Sequence, residues 1–238
     1  MKAARMKDEE NEFKQLKHSF PPYAFRLTPS LGVAAIVLAA GRSFRMGAFK
    51  PLLPFPEEGR TVIEACIANL LGGGVETLVV VLGHRADEMR ARLAHLPVSF
   101  AFNQDAESEM SVSIARGVER LPADVETILI ALGDQPAIPP EVIGFLIAER
   151  RRSGARLLVP EYSGRGGHPV LIDSGFRTEL LRLDAERGLR ALFLAHRDEV
   201  LRVPVASPYI ARDMDTWDDY RALYGEVFGA APPDSPCS

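Results

Sequence analysis

Hydrophobic positions along the chain fall into two alternating patterns. Short runs rich in β-branched residues and alanine predict six strands: VAAIVLA (33–39), TLVVVLG (77–83), VSFAF (98–102), TILIALG (127–133), RLLVP (156–160) and EVLRVPV (199–205). The first, second and fourth are almost uninterrupted apolar runs, the pattern of strands buried on both faces of a parallel sheet. Segments with apolar residues at helical spacing lie between them. TVIEACIANLL (61–71) runs into Gly72, Gly73 and Gly74, a C-terminal stop. RADEMRARLAHL (85–96) stops at Pro97, and EMSVSIARGVERL (109–121) stops at Pro122. PPEVIGFLIAERRR (139–152) opens on prolines, which the first helical turn tolerates, and ends before Gly154. Strands and helices in alternation predict one α/β domain with a mostly parallel sheet, right-handed crossovers and helices on both faces. Ligands of such sheets bind beyond the carboxyl ends of the strands. The loops after Ala39, Gly83, Phe102 and Gly133 are therefore the places to look for chemistry.

The ends of the chain read differently. Residues 1–30 mix charges of both signs and finish in a Pro-rich patch, which predicts a loosely ordered extension. Residues 229–238, GAAPPDSPCS, are small and Pro-rich and predict a disordered tail. The domain itself then spans 31–228. With 28 basic against 32 acidic residues, the net charge of −4 gives no global pull toward nucleic acid or an anionic membrane. Two cysteines, Cys66 and Cys237, build neither a disulfide framework nor a zinc site. No apolar run approaches the roughly 20 residues of a membrane span, and no signal core precedes the domain. A cytoplasmic protein with no membrane partner is expected.

The loop after the first predicted strand reads LAAGRSFRMGAFKPLLPF (38–55). Small residues at Ala39, Ala40 and Gly41, following Leu38, let backbone N–H groups close on an anion. Arg42, Arg45 and Lys50 then supply three cations, arginine as a planar fork and lysine as a point charge for phosphate oxygens. The spacing is not that of a Walker A loop, nor of the Gly-x-Gly-x-x-Gly dinucleotide fingerprint. Composition alone also fits a flexible surface loop with solvated cations. The string itself, with Arg45-Met46-Gly47 followed by Lys50 and a Leu-rich stretch, resembles the loop of the nucleotidyltransferases that build dinucleotide forms of the molybdenum cofactor. Within the MobA-like NTP transferase domains it is most similar to the cytidylyltransferases, and the likeness extends over most of the core, roughly 33–224.

Four further strings extend the resemblance. Gly133-Asp134-Gln135-Pro136 follows a strand directly and matches the family's Gly-Asp-x-Pro motif, which implies that Asp134 is the main ligand of Mg²⁺. Asp213-Met214-Asp215-Thr216 matches the family's Asp-x-Asp-Thr, which makes Asp215 a second metal ligand; the chain departs from the pattern at Trp217 and Asp218. As residues alone, Asp134 and Asp215 also read as helix caps, although Asp134 stands too far from Pro139 for a tight one. GRGGHP (164–169) implies that Arg165 and His168 meet the phosphate of a second substrate, although a glycine-rich turn with a passive histidine reads as well. NQDAESEMSVS (103–113) resembles a segment in which Ser111 touches the nucleotide; Ser111 and Ser113 also suit helix capping.

Taken together, the resemblance implies a single Rossmann-like nucleotidyltransferase domain. Its reaction is the Mg²⁺-dependent transfer of CMP from CTP to the terminal phosphate of molybdopterin, with a molybdenum hydroxylase as a recipient. Lys50, Arg45 and Asp134 would carry catalysis, and Leu38, Ala39, Ala40, Gly41, Arg42, Ser111, Arg165 and His168 would carry binding. The alternatives are transfer from GTP, transfer to a sugar phosphate, or a carrier of finished cofactor with no catalysis.

Overall fold

The computed structural model describes residues 32–42, 46–55, 59–105 and 108–233. The 1–30 extension, Cys237 and part of the 229–238 tail lie outside these residues.

Alternation along the first strand, β1 (Val33–Ala39), sorts its apolar run into two sets. Ala35, Val37 and Ala39 join one apolar layer, and Ala34 and Ile36 join the other. The same sorting holds in β2 (Thr77–Leu82) and β4 (Thr127–Leu132). Leu78, Val80, Leu82, Leu129 and Ala131 face the first layer, while Val79, Val81, Ile128 and Ile130 face the second. On the first face pack α1 (Val62–Gly72), α2 (Ala86–Leu93) and α4 (Pro140–Ser153), through Ile63, Ile67, Met89, Leu93, Ile143 and Leu146. On the second pack α3 (Met110–Arg120), α5 (Arg177–Leu180) and α6 (Leu189–Ala195), through Ile114, Val118, Phe176, Leu180 and Leu192. Uninterrupted apolar runs are thus what a sheet covered on both sides requires.

The remaining strands are β3 (Ser99–Phe102), β5 (Leu157–Tyr162), β6 (Arg165–Gly166), β7 (Val170–Asp173) and β8 (Val200–Pro204). Among the described residues the sheet has eight strands in the order β3-β2-β1-β4-β7-β5-β6, with β8 on β5. The β1–β2, β1–β4, β2–β3 and β5–β8 pairs are parallel. β7 is antiparallel to both β4 and β5, and β6 is antiparallel to β5. Six strands were expected from the pattern; β6 and β7 were not. They form because Ser163 and Gly164 both take positive φ and turn the chain back on β5. The short apolar run Val170–Asp173 then fills the gap between β4 and β5.

A third apolar cluster fixes the last helix, α7 (Trp217–Phe228), against the segment between β1 and α1. Tyr220, Leu223 and Tyr224 pack with Leu53, Phe55 and Val62, and the Tyr220 hydroxyl donates to the Pro54 carbonyl at 2.6 Å. This docking carries the residues just before α7 back to the end of β1.

Candidate active site

From β1 the chain moves outward through β2 to β3, then returns across to β4 on the other side of β1. The β1–β4 boundary is therefore the point where the winding reverses, and a crevice opens there beyond the strands' carboxyl ends. Leu38, Ala39, Ala40 and Gly41 form one wall, and Leu132, Gly133 and Asp134 the other. Gly133 is required by close approach: a Cβ there would stand 2.9 Å from Ile63 Cδ1 and 3.0 Å from the Leu38 carbonyl oxygen. The cleft holds about 400 Å³, within the usual range of small-molecule sites. Asn103, Asp105, Ser108, Met110 and Ser113 close it from the β3–α3 side, and Asp213 and Asp215 from the segment before α7.

Lys50 enters from a short turn, Lys50–Leu52, and is only 7% exposed. Its Nζ donates to Asp215 Oδ1 at 2.7 Å and lies 3.6 Å from Asp134 Oδ2. Burial at the cleft floor pushes the Asp134 carboxyl above its ordinary pKa; Lys50 opposes this and the Asp215 charge reinforces it. Beneath, on α1, Cys66 is buried, and burial together with the Asp134 charge pushes its thiol far up, so it stays protonated and inert.

Asp134, Asp215, Lys50 and the 38–41 backbone, all singled out in the sequence, therefore converge. Neither aspartate caps a helix. Pro139 is the N-cap of α4, with no side-chain cap bond. Thr216 caps α7, accepting from the Asp219 N–H, while Asp219 Oδ2 accepts from the N–H groups of Thr216 and Asp215. With capping left to these neighbours, the Asp215 carboxylate turns to Lys50.

The other residues singled out in the sequence, Ser113 apart, lie elsewhere or outside the described residues. Ser111 is buried in the first turn of α3 and is not among the cleft's lining residues; Ser113, two residues on, is. Neither caps α3, whose N-cap is Glu109. Ser113 Oγ instead accepts from the buried Asn103 Nδ2 at 2.9 Å, and the same amide donates to Ser108 Oγ at 2.7 Å. Asn103 organises this wall, a role that emerges only when β3 and α3 are placed together. Arg42 is half-buried after Gly41 and is not among the lining residues. Arg45 lies outside the described residues. Arg165 is exposed on β6 and is not among the residues that line the cleft. His168 does not line the cleft either, and burial lowers its pKa to about 4, with the Asp213 charge opposing, so it is neutral at pH 7 and no phosphate-binding cation. Gly167 brings it there: a Cβ on Gly167 would stand 2.0 Å from the Ile210 carbonyl oxygen.

Among the described residues, the lining carries four carboxylates, Asp105, Asp134, Asp213 and Asp215, and the ammonium of Lys50. Such a surface repels a polyanion unless cations come with it. Carboxylate oxygens are hard donors that suit Mg²⁺ or Mn²⁺, and Asp134 and Asp215 face one point. Among the described residues no three His, Cys, Asp or Glu side chains form a ready-made cage.

Comparison with known proteins locates this cleft in a family. The model of the MobA-like NTP transferase domain matches residues 35–200, from within β1 to the start of β8. The chain belongs to the MobA-like NTP transferase domain family. Nicotine blue oxidoreductase of Paenarthrobacter nicotinovorans is 35% identical over 201 residues, covering 80% of this chain and 96% of that protein. Molybdenum cofactor cytidylyltransferase of Escherichia coli K12 is 26% identical over 189 residues, covering 79% and 93%. Rv0371c from Mycobacterium tuberculosis, solved in complex with manganese, superposes with a TM-score of 0.67 at 29% identity, covering 81% of this chain and 98% of that one. Membership makes the chain a nucleotidyltransferase by family and fold. The cleft at the β1–β4 boundary lies within the part of the MobA-like domain that the family model covers, apart from Asp213 and Asp215. No helix among the described residues is long and apolar enough to cross a membrane.

Proposed function

We propose that this protein transfers CMP from CTP to the terminal phosphate of molybdopterin and releases pyrophosphate. The observation that carries the reading is the convergence of Lys50, Asp134 and Asp215 in the β1–β4 crevice. Phosphoryl chemistry needs little from the protein beyond positioning and neutralisation of charge. In this reading a phosphate oxygen of the second substrate bonds to the α-phosphorus, and the bond to the β-phosphate oxygen breaks. The backbone of Ala39, Ala40 and Gly41 cradles the nucleotide. Arg45 and Arg42 neutralise the β- and γ-phosphates, and Lys50 meets the charge that grows on the α-phosphate. Asp134 and Asp215 hold Mg²⁺, which supplies charge neutralisation across phosphate oxygens when bound. Arg165 stays on the acceptor side as a long, exposed cation, and neutral His168 serves only as a hydrogen-bonding group. A molybdenum hydroxylase is the recipient of the product.

Preference for CTP rests on Ala40. A Cβ on Gly83 would stand 2.9 Å from the Ala40 methyl, so Ala40 packs closely on the Gly83 backbone. A rigid wall favours a pyrimidine over a purine, an exclusion worth roughly 10–200-fold in kcat/KM. Oxidoreduction is a second reading, favoured by the 35% identical relative from P. nicotinovorans. The assay is pyrophosphate release from each of the four triphosphates with Mg²⁺ and molybdopterin, run beside oxidation of reduced nicotinamide cofactors. Release fastest with CTP supports the proposal. Release fastest with GTP makes the protein a guanylyltransferase, and cofactor oxidation without pyrophosphate release overturns nucleotidyl transfer.

A further inference from the structure

Lys50 stands where a divalent cation would meet both carboxylates. Its ammonium contacts Asp215 at 2.7 Å and Asp134 at 3.6 Å from a nearly buried position. The turn that holds it is stiff: Leu52 N–H donates to the Phe49 carbonyl and Leu53 N–H to the Lys50 carbonyl, each at 3.1 Å. Leu53 is pinned in the apolar cluster under α7. A magnesium-type ion lies about 2.1 Å from its oxygen ligands, inside the space this ammonium already commands. Two cations cannot share that point, and the carboxylates cannot serve both at full strength.

We propose that Lys50 is the resident counter-ion of the metal site, neutralising Asp134 and Asp215 until nucleotide phosphates draw it away and a divalent cation takes its place. The inference rests on the metal-dependent reading above and adds a coupling to it. Metal and nucleotide load together because one side chain must change partners for either to bind well. By linkage, the tightening of metal by nucleotide equals the tightening of nucleotide by metal. Lys50 also keeps the site from filling tightly with a metal ion alone.

The test is a Mn²⁺ titration, followed by the electron paramagnetic resonance of free Mn²⁺, on the full chain without nucleotide. Wild type is compared with Lys50→Met, which keeps length but removes charge, and Lys50→Arg, which keeps charge. Lys50→Met should bind Mn²⁺ at least about ten-fold more tightly than wild type, the effect of removing a like charge a few ångströms away in a partly buried site. Lys50→Arg should bind as weakly as wild type. If Lys50→Met is less stable because its carboxylates have lost their counter-ion, Mn²⁺ should raise its melting temperature more than it raises that of wild type. Equal affinity in wild type and Lys50→Met, or equal gains in Lys50→Met and Lys50→Arg, overturns the counter-ion role. Failure of wild type to retain Mn²⁺ even with CTP present overturns the metal-dependent reading as well.

Discussion

Asp134 sets folding against function. Burial raises its carboxyl pKa, so the ionised form is disfavoured in the folded protein relative to the unfolded chain. Stability that is present below the ordinary carboxylate range is lost as pH rises through the folded pKa. Asp134→Asn removes that cost at pH 7, and Lys50 keeps its closer partner, Asp215. The variant should melt no lower than wild type, while turnover falls on the order of 10²–10³-fold, the usual loss for one charge-organising group. Melting curves and pyrophosphate release check both halves, and a less stable variant with undiminished turnover contradicts the assignment. His168 has the opposite sign. Burial holds its pKa at about 4, below the ordinary 6.5. Between those values the unfolded chain takes up a proton that the folded one refuses, so stability falls as pH drops through this window. His168→Asn should flatten the fall in melting temperature from pH 6.5 to pH 4, and an unchanged slope would place the acid sensitivity elsewhere.

Helix α7 shows how an element far from the sheet's centre serves the site. Its start is held by Thr216 and Asp219, and the same Asp219 carboxylate holds the Asp215 backbone. Thr216→Ala should cost about 1 kcal/mol of stability. For a domain of this size that is a fall of roughly 2–4 °C in melting temperature. It should also weaken Mn²⁺ binding, because the Asp219 carboxylate that holds the Asp215 backbone loses its bond from the Thr216 hydroxyl; unaltered metal affinity would mean that the position of Asp215 does not depend on this cap. Much of this organisation was legible in the chain. β1, β2 and β4 announced themselves as continuous apolar runs because helices cover both faces. Lys50, Asp134 and Asp215 were legible as motif residues. β6 and β7 were not, since a two-residue strand and the four residues of VLID sit amid glycine and proline punctuation and give no period to count. Ser111 and Ser113 could not be told apart in the chain, because which of two serines two residues apart lines the cleft depends on how α3 sits on the sheet. The neutrality of His168 was not legible, because its charge depends on burial, which sequence spacing does not encode.

At the scale of the whole molecule, winding order decides where chemistry occurs. β1 sits between β2 and β4, and the reversal there opens the crevice. Docking of α7 through Tyr220 then brings Asp215 to Lys50 across the entire domain. This account needs nothing from residues 1–30, which carry no motif. A chain beginning at Leu31 should keep its melting temperature within a few degrees and retain turnover; a large loss of either would show that the extension completes the core. The central claim is transfer of a nucleotidyl group to a phosphate acceptor. Incubation with Mg²⁺, molybdopterin and CTP labelled at the α-phosphate tests it most directly. The label should appear in a molybdopterin dinucleotide, with one pyrophosphate released per product, and should fail to appear with Asp134→Asn. Folded, Mn²⁺-binding protein that moves no label from any of the four triphosphates to molybdopterin would contradict it.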